Sequence, residues 1–501
     1  MAPNGSAHDL VTRTPVRLAP DSSRTMATLL LPGEEMPEHS SRASAVVERV
    51  LALNDAQVRA TLADMTARLV SQPYRLDDTF ERHFAYLAQL VHVAPIASRD
   101  RRLLIGAYAT AELSPESTGL TNPSMVEHPD QTGLAAGELR FVMSVRAVGT
   151  GGVSSIEFRT GVISADQTIR IDEPGKLLDS GHLSSPLYEQ AIFRAQLSEG
   201  DFGDWTVDFA LDGLETRFTD ADLNRVLTGL GEREYSRSAP SRQERVQEIV
   251  RQIEWVAANN YEVVFPADTA ISERVLVPRG PTESHGMEDA RFVRFVDDDM
   301  ASYYAIYTAY DGSHVTPQLL ETPDFRTFQV RQLSGPSAKN KGMALFPRRV
   351  GGRRLSLSRC DRETTSLAAS EDGWSWGKPA AIHSPHQPWE LIKVGNCGSP
   401  IETQRGWLVF THGVGPMWTT AIGALLLDLE DPRRVVGILP TPLMVPEGDE
   451  SDGYVPHTIY SCGALLHGET VVLPYGLGER AIGIALIDLP ELLHRLLTSA
   501  D

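Results

Sequence analysis

Ser284-His285-Gly286-Met287-Glu288-Asp289-Ala290-Arg291-Phe292 sets two acids, an imidazole and a guanidinium at the mouth of an apolar, strand-like run. Polar groups crowded at such a place are costly to bury and available for chemistry. In isolation the cluster reads as a turn with a salt bridge. Its weight comes from the chain around it, which repeats the same arrangement.

From Tyr261 to about Leu489 the sequence is short strands and turns. Four segments, 288–310, 342–359, 398–412 and 460–475, share one plan. Each opens on polar or small residues, enters an apolar strand, turns at Gly or Asp-Gly, and returns through a second apolar strand. Their spacing of roughly 50–60 residues is that of propeller blades. Upstream, the β-rich runs 140–146 and 154–158 flank Gly149-Thr150-Gly151-Gly152 and read as a hairpin. Residues 122–158 then supply a fifth blade.

Helical periodicity appears in two places. Val58, Leu62, Met65 and Leu69 follow a cap at Asn54 or Asp55, and Phe80, Phe84, Leu87 and Val91 follow Asp77-Asp78. Further on, the capping box Ser241-Arg242-Gln243-Glu244 behind Pro240 leads into Val246, Ile249, Val250, Ile253 and Val256. The expected fold is therefore an all-β five-bladed β-propeller with an added α-helical N-terminal region and an α-helical insertion. The expected boundaries are a disordered tail over 1–40, helices over 41–118, the propeller over 119–490 with its insertion at about 186–259, and a tail over 491–501.

With 46 basic and 66 acidic residues in 501, the net charge is −20, which argues against nucleic acid as a partner. The three cysteines, Cys360, Cys397 and Cys462, have no metal-type spacing, so reduced thiols in a cytoplasmic protein are expected, with no metal. The polar N-terminus does not read as a signal peptide, and no run approaches a membrane span.

In a propeller the innermost strands converge on a central channel, so residues far apart in sequence form one site. The blade mouths and inner strands bring Asp289, Arg291, Arg146, Arg359, Lys393 and His412. Glu288 and Asp289 adjoin on a segment read as extended, which points them to opposite faces rather than making an acid–base pair. An inverting glycosidase needs two carboxylates about the scissile bond. A phosphorylase needs one acid and a cationic cradle for phosphate, built from Arg forks and Lys. One prominent acid with several bases fits the second chemistry.

Gly286-Met287-Glu288-Asp289-Ala290-Arg291 resembles the Gly-x-Glu-Asp-Pro-Arg motif of glycoside hydrolase family 130, the β-mannoside phosphorylases and related mannosidases. Further stretches resemble the family in order. They are Asn122-Pro123-Ser124, Val145-Arg146, Leu357-Ser358-Arg359, Lys393-Val394-Gly395 with Ser399-Pro400-Ile401, and His412-Gly413-Val414. Leu426-Leu427-Asp428-Leu429-Glu430-Asp431-Pro432, Val455-Pro456 and Tyr475-Gly476 complete the set, which spans about 122–489 and leaves the helices outside.

The resemblance implies an inverting β-mannoside phosphorylase that takes inorganic phosphate as co-substrate, needs no cofactor, and releases mannose 1-phosphate. It makes Asp289 the general acid, acting through the mannosyl 3-hydroxyl. Arg146, Arg359, Lys393 and His412 would bind phosphate. Asn122, Glu288, Arg291, Tyr310, Asp311, His457 and Glu479 would contact the β-mannoside oligosaccharide. The chain departs from the family pattern at Ala290, which should matter little, and at Thr420, His457 and Glu479, which bears on substrate choice. Assembly as a homo-oligomer stays open. The alternatives are a β-mannosidase, with Asp361, Glu363, Glu402 or Glu479 activating water, and a non-catalytic glycan-binding propeller. A sugar-nucleotide mannosyltransferase is a further option that no feature selects.

Overall fold

The computed structural model describes residues 10–31, 42–68, 76–90, 98–184, 186–198, 211–235, 240–297 and 300–498. The chain divides into two compact units. One comprises Met1–Asp21, Glu116–Pro174 and Ser180–Asp501, the other Ser22–Pro115 with Gly175–Asp179.

The larger unit is mostly β and is built from five antiparallel meanders. The first runs through strands Gly119–Glu127, Leu139–Val148, Ser154–Ile163 and Ile169–Ile171. The second is Gly286–Asp297, Met300–Tyr310, Val315–Thr322 and Thr327–Gln332, widened by Tyr261–Val264 and His182–Ser184. The third is Lys341–Leu345, Arg354–Arg359, Thr365–Ser370 and Ala380–His383. The fourth is Lys393–Asn396, Gly406–Val414, Thr420–Leu427 and Val435–Ile438. The fifth is Ile459–Tyr460, Thr470–Leu477, Ala481–Asp488 and, from the far end of the chain, Val11–Leu18.

Neighbouring meanders share apolar cores. Phe158 and Phe292 join the first to the second, Ile306 and Met343 the second to the third, and Leu357 and Trp407 the third to the fourth. Phe410 and Leu473 join the fourth to the fifth, and Phe141 and Ile484 join the fifth back to the first. Each sheet thus has both faces covered, which is why Thr420–Leu427 reads as a continuous apolar run, with every residue buried. Backbone bonds follow the same path: Val296 N–H to Pro347 O at 2.9 Å, Val394 N–H to Glu363 O at 3.0 Å, Thr420 N–H to His457 O at 3.0 Å and Cys462 N–H to Pro123 O at 2.8 Å. Among the described residues no single sheet closes on itself. The first and second meanders merge into one eleven-stranded sheet, touching in parallel where Gly286 meets Ser154.

Two terminal expectations fail. The expected disordered tail over 1–40 contains the strand Val11–Leu18, paired with Ala481–Asp488, and the strand Met26–Leu29. Pro15 and two arginines hide the first strand's pattern. An edge strand pairs on one side only, and its register breaks between Arg13 and Arg17, so the proline is tolerated. At the other end, the expected tail over 491–501 is largely helix: Leu489–Thr498 is helical and buries Leu489, Leu492 and Leu496 against the fourth and fifth meanders.

The smaller unit holds helices Arg42–Ala52, Asp55–Arg68, Leu76–Leu90 and Arg99–Tyr108. Asn54 is the cap: its Oδ1 accepts from Gln57 N–H at 3.0 Å and Gln57 Oε1 accepts in return from Asn54 N–H at 2.9 Å. Val58 and Leu87 are buried as their spacing predicts, while Leu69 and Val91 lie outside the described residues. The insertion carries helices Gln190–Ser198, Asp220–Tyr235 and Pro240–Ala258 around a core that includes Phe193, Phe218 and Ile253. It also holds a short ribbon, Tyr188–Glu189 with Arg217–Phe218, that a purely helical reading omits.

Candidate active site

The strand Gly286–Asp297 is not regular where its acids lie. Its register against Met300–Tyr310 shifts between Glu288 and Arg291, and Asp289 takes φ +55°. Across from it, Asn122 takes φ +48° at the register break between Thr121 and Ser124 of the first meander. Asn and Asp are the side chains that best tolerate the left-handed region. The two bulged residues meet, and Asn122 Nδ2 donates to Asp289 Oδ1. The expectation of an extended Glu288–Asp289 segment is therefore corrected, because the backbone bulges there, but the two carboxylates do diverge as expected: Asp289 faces the cavity and Glu288 does not.

That cavity, of about 250 Å³, is walled by Asn122, Arg146, Asp289, Lys341, Arg359, Lys393, His412, Tyr460 and Glu479, with Trp418, Thr420 and Val455 among its other lining residues. All five meanders contribute. Glu288 stands behind the wall, where its Oε1 accepts from Arg146 Nη2 at 2.6 Å and its Oε2 from Lys341 Nζ. Arg291 is buried beneath, donating to Asp289 O at 3.1 Å and to Tyr460 Oη at 2.6 Å. Arg359 Nη1 donates to His412 Nε2 at 2.7 Å, and the imidazole packs edge-on to Tyr460. Gly395 makes that pairing fit, because a Cβ there would stand 2.5 Å from His412 Cε1 and 2.9 Å from Arg359 Nη1.

Burial alone would push the Asp289 carboxyl up, but Lys341, Arg291, Arg146 and the Asn122 hydrogen bond hold it below the ordinary value. Burial, then Arg359 and Lys393, keep His412 well below the ordinary imidazole value, so it is neutral and accepts from Arg359. Lys393 is lowered by burial and by Arg359 and Lys341. Glu479 is raised by burial, with Arg146 pulling against it and Asp289 and Glu288 adding to it. Among the described residues, Arg359 Nε and Arg146 Nε are buried with no hydrogen-bond partner. The arrangement is an ionised carboxylate facing a cationic wall with unused donors.

Of the residues singled out from the sequence, Asn122, Arg146, Asp289, Arg359, Lys393, His412 and Glu479 meet in the cavity. Glu288 and Arg291 support it from behind. Tyr310, Asp311 and His457 are not on its wall. Tyr310 Oη donates to Gly312 O, and Asp311 caps a turn by accepting from Ser313 and His314 N–H at 2.8 and 2.7 Å. His457, at φ +56°, holds the neighbouring strand through its carbonyl. Among the four carboxylates considered for water activation, only Glu479 reaches the cavity. Glu402 is paired with Arg348, and Asp361 caps Glu363 and Thr364 N–H at 3.0 and 2.9 Å. Lys341, Tyr460 and Trp418 were not foreseen. Lys341 precedes the Gly-Met-Ala-Leu-Phe strand opening, a position that could have been compared with Asp289, whereas nothing local marks Tyr460.

A wider basic recess of about 630 Å³ adjoins the cavity. It shares Lys341, Arg359 and Lys393 and adds His314, Lys339 and Arg362. Among the described residues one group has metal-ligand chemistry, His383, His386 and Glu390, none on the cavity wall, and no helix is long and apolar enough to cross a membrane. Cys360, Cys397 and Cys462 are free thiols.

The family profile described as β-1,4-mannooligosaccharide phosphorylase matches residues 262–497. A 1,2-β-oligomannan phosphorylase from Thermoanaerobacter sp. strain X514 is 30% identical over 214 residues, covering 42% of this chain and 71% of that protein. A β-1,2-mannobiose phosphorylase from Listeria innocua is 28% identical over 229 residues, covering 44% of this chain and 63% of that protein. The solved structure of the β-1,2-mannobiose phosphorylase from Listeria innocua, in complex with β-1,2-mannobiose, superposes with a TM-score of 0.43 at 19% identity, covering 76% of this chain and 92% of that one.

Proposed function

The chain belongs to glycoside hydrolase family 130, and from that membership and the chemistry of its cavity we propose that it is an inverting β-mannoside phosphorylase. The observation that carries this reading is Arg359. Its guanidinium is buried, bonded among the described residues only to a neutral imidazole, and retains an unused buried Nε donor beside Lys393. A phosphate anion supplies the charge and acceptors that such a group lacks. We read the five meanders as the blades of one propeller, supported by the shared cores that lead from the first round to the fifth and back.

In this reading the reacting mannosyl unit lies between Asp289 and the cationic wall. A phosphate oxygen attacks the anomeric carbon from the Arg359 and Lys393 side. The glycosidic C–O bond breaks, and the leaving oxygen takes a proton that originates on Asp289 and passes through the mannosyl 3-hydroxyl. The products are mannose 1-phosphate of inverted configuration and the shortened sugar. Asp289 is ionised in the free protein. Phosphate, by offsetting the cations that depress its carboxyl, favours the protonated form that the acid role needs. A cytoplasmic location belongs to the same proposal, supported by the free, buried Cys397 and Cys462.

Incubation with β-1,2- and β-1,4-mannobiose, with and without phosphate, tests it. Phosphate-dependent formation of mannose 1-phosphate is expected; free mannose at full rate without phosphate overturns it. A mannosidase is the second reading, favoured by Glu479, the remaining carboxylate on the cavity wall. Glu479→Gln separates the two. Phosphorolysis should persist to within about tenfold, whereas a hydrolase that lost its water-activating base should fall by about 10²–10⁴.

A further inference from the structure

The turn between strands Gly406–Val414 and Thr420–Leu427 is closed by Gly415 N–H to Thr419 O at 3.0 Å and by Thr419 N–H to Pro416 O at 3.2 Å. Its two central residues, Met417 at φ 58°, ψ 23° and Trp418 at φ 58°, are both left-handed. Positive φ at both central positions is the pattern of a type I′ turn, which Asn-Gly fills without strain. Methionine and tryptophan are poor choices on conformational grounds. Packing does not explain them either, since Met417 is 85% and Trp418 66% exposed. Strain and an exposed indole at one place are a sign of function.

Trp418 nevertheless lines the cavity that holds Asp289. Tyr454, 86% exposed, precedes Val455 on the same wall, and Thr420 N–H to His457 O ties the two loops together. Depth divides the site. Asp289, Arg359 and His412 are 6%, 7% and 2% exposed, so the chemistry lies at the bottom and the exposed Trp418 at the rim. An aromatic ring offers a large apolar face at low cost in side-chain entropy, which suits the apolar C–H face of a pyranose.

We propose that Trp418 is a stacking platform for the sugars on the leaving-group side of the scissile bond, so that the preferred substrate is a neutral oligosaccharide of three or more units. The inference rests on the mannoside-cleaving reading above. It is tested by steady-state kinetics of the full chain on β-mannobiose and β-mannotriose, and by calorimetric binding of β-mannotriose to Asp289→Asn with and without Trp418→Ala. Trp418→Ala should lower kcat/KM for mannotriose about tenfold, with a smaller effect on mannobiose and a phosphate KM within about twofold, and Trp418→Tyr should restore most of the loss. The double variant Met417→Asn/Trp418→Gly should unfold at a higher temperature than the wild-type chain while losing the same activity, an outcome that a merely structural tryptophan does not give. Equal mannotriose affinity with and without the indole overturns the platform, as does a change confined to the phosphate KM. If mannotriose binds through Trp418 but no mannose 1-phosphate forms, the platform stands and the phosphorylase reading fails.

Discussion

Arg359 donates from Nη1 to Nε2 of His412 over 2.7 Å, so two basic side chains meet in one buried pocket with the imidazole as acceptor. Neither receives a carboxylate hydrogen bond in the described structure. The pair can persist only with the histidine neutral, and it leaves the guanidinium's remaining donors for a ligand.

Removing that guanidinium removes charge-assisted contacts of about 1.5–3 kcal/mol each. Arg359→Ala should therefore raise the phosphate KM at least about tenfold and leave the KM for the mannoside nearly unchanged. Initial rates across a phosphate series measure this. An unaltered phosphate KM would place the anion elsewhere.

The neutral state of His412 has a consequence for stability. Its folded pKa is depressed, whereas the unfolded chain titrates near 6.5, so below about that pH the unfolded state binds more protons and stability falls as pH drops. The slope from this one group reaches at most about 1.4 kcal/mol per pH unit. His412→Gln should flatten the fall in urea midpoint between pH 7 and 5.5. His83, held down to about 4 by burial, contributes the same sign in the helical unit, so the comparison is between variant and parent rather than against a flat line.

Asp289→Asn should reduce turnover by about 10²–10⁴ while circular dichroism and the unfolding temperature stay close to the parent. Asparagine tolerates the left-handed backbone of position 289 and keeps the hydrogen-bonding capacity facing Asn122. Retention of near-parental turnover would assign the proton to another group.

Arg13, on the strand from the far end of the chain, donates from Nε to both carboxylate oxygens of buried Glu450 at 3.1 and 3.2 Å, and Tyr475 Oη donates to the same acid at 2.6 Å. Arg13→Ala leaves a buried carboxylate short of its cation, and the cost should be about 1.5–3 kcal/mol in denaturant unfolding. Arg17, 3.8 Å from Glu450, offers partial compensation. The double variant Arg13→Ala/Arg17→Ala should therefore lose more than Arg13→Ala alone.

The sequence by itself determined the five pairs of apolar strands, their turns and the polar mouths that place Asp289, Arg359, Lys393 and His412, because alternation and Gly-marked turns are local properties of the chain. The motif around Glu288-Asp289 was legible for the same reason. Only the tertiary structure decided which neighbours face the cavity. Asp289 enters it through a bulge matched to another bulge at Asn122, Glu288 turns to Arg146 and Lys341, and Glu479 reaches it while Glu402 does not. Val11–Leu18 became a strand only because Ala481–Asp488 presented an open edge to it. In a sheet one register step reverses every side chain, and register is fixed by partners remote in sequence.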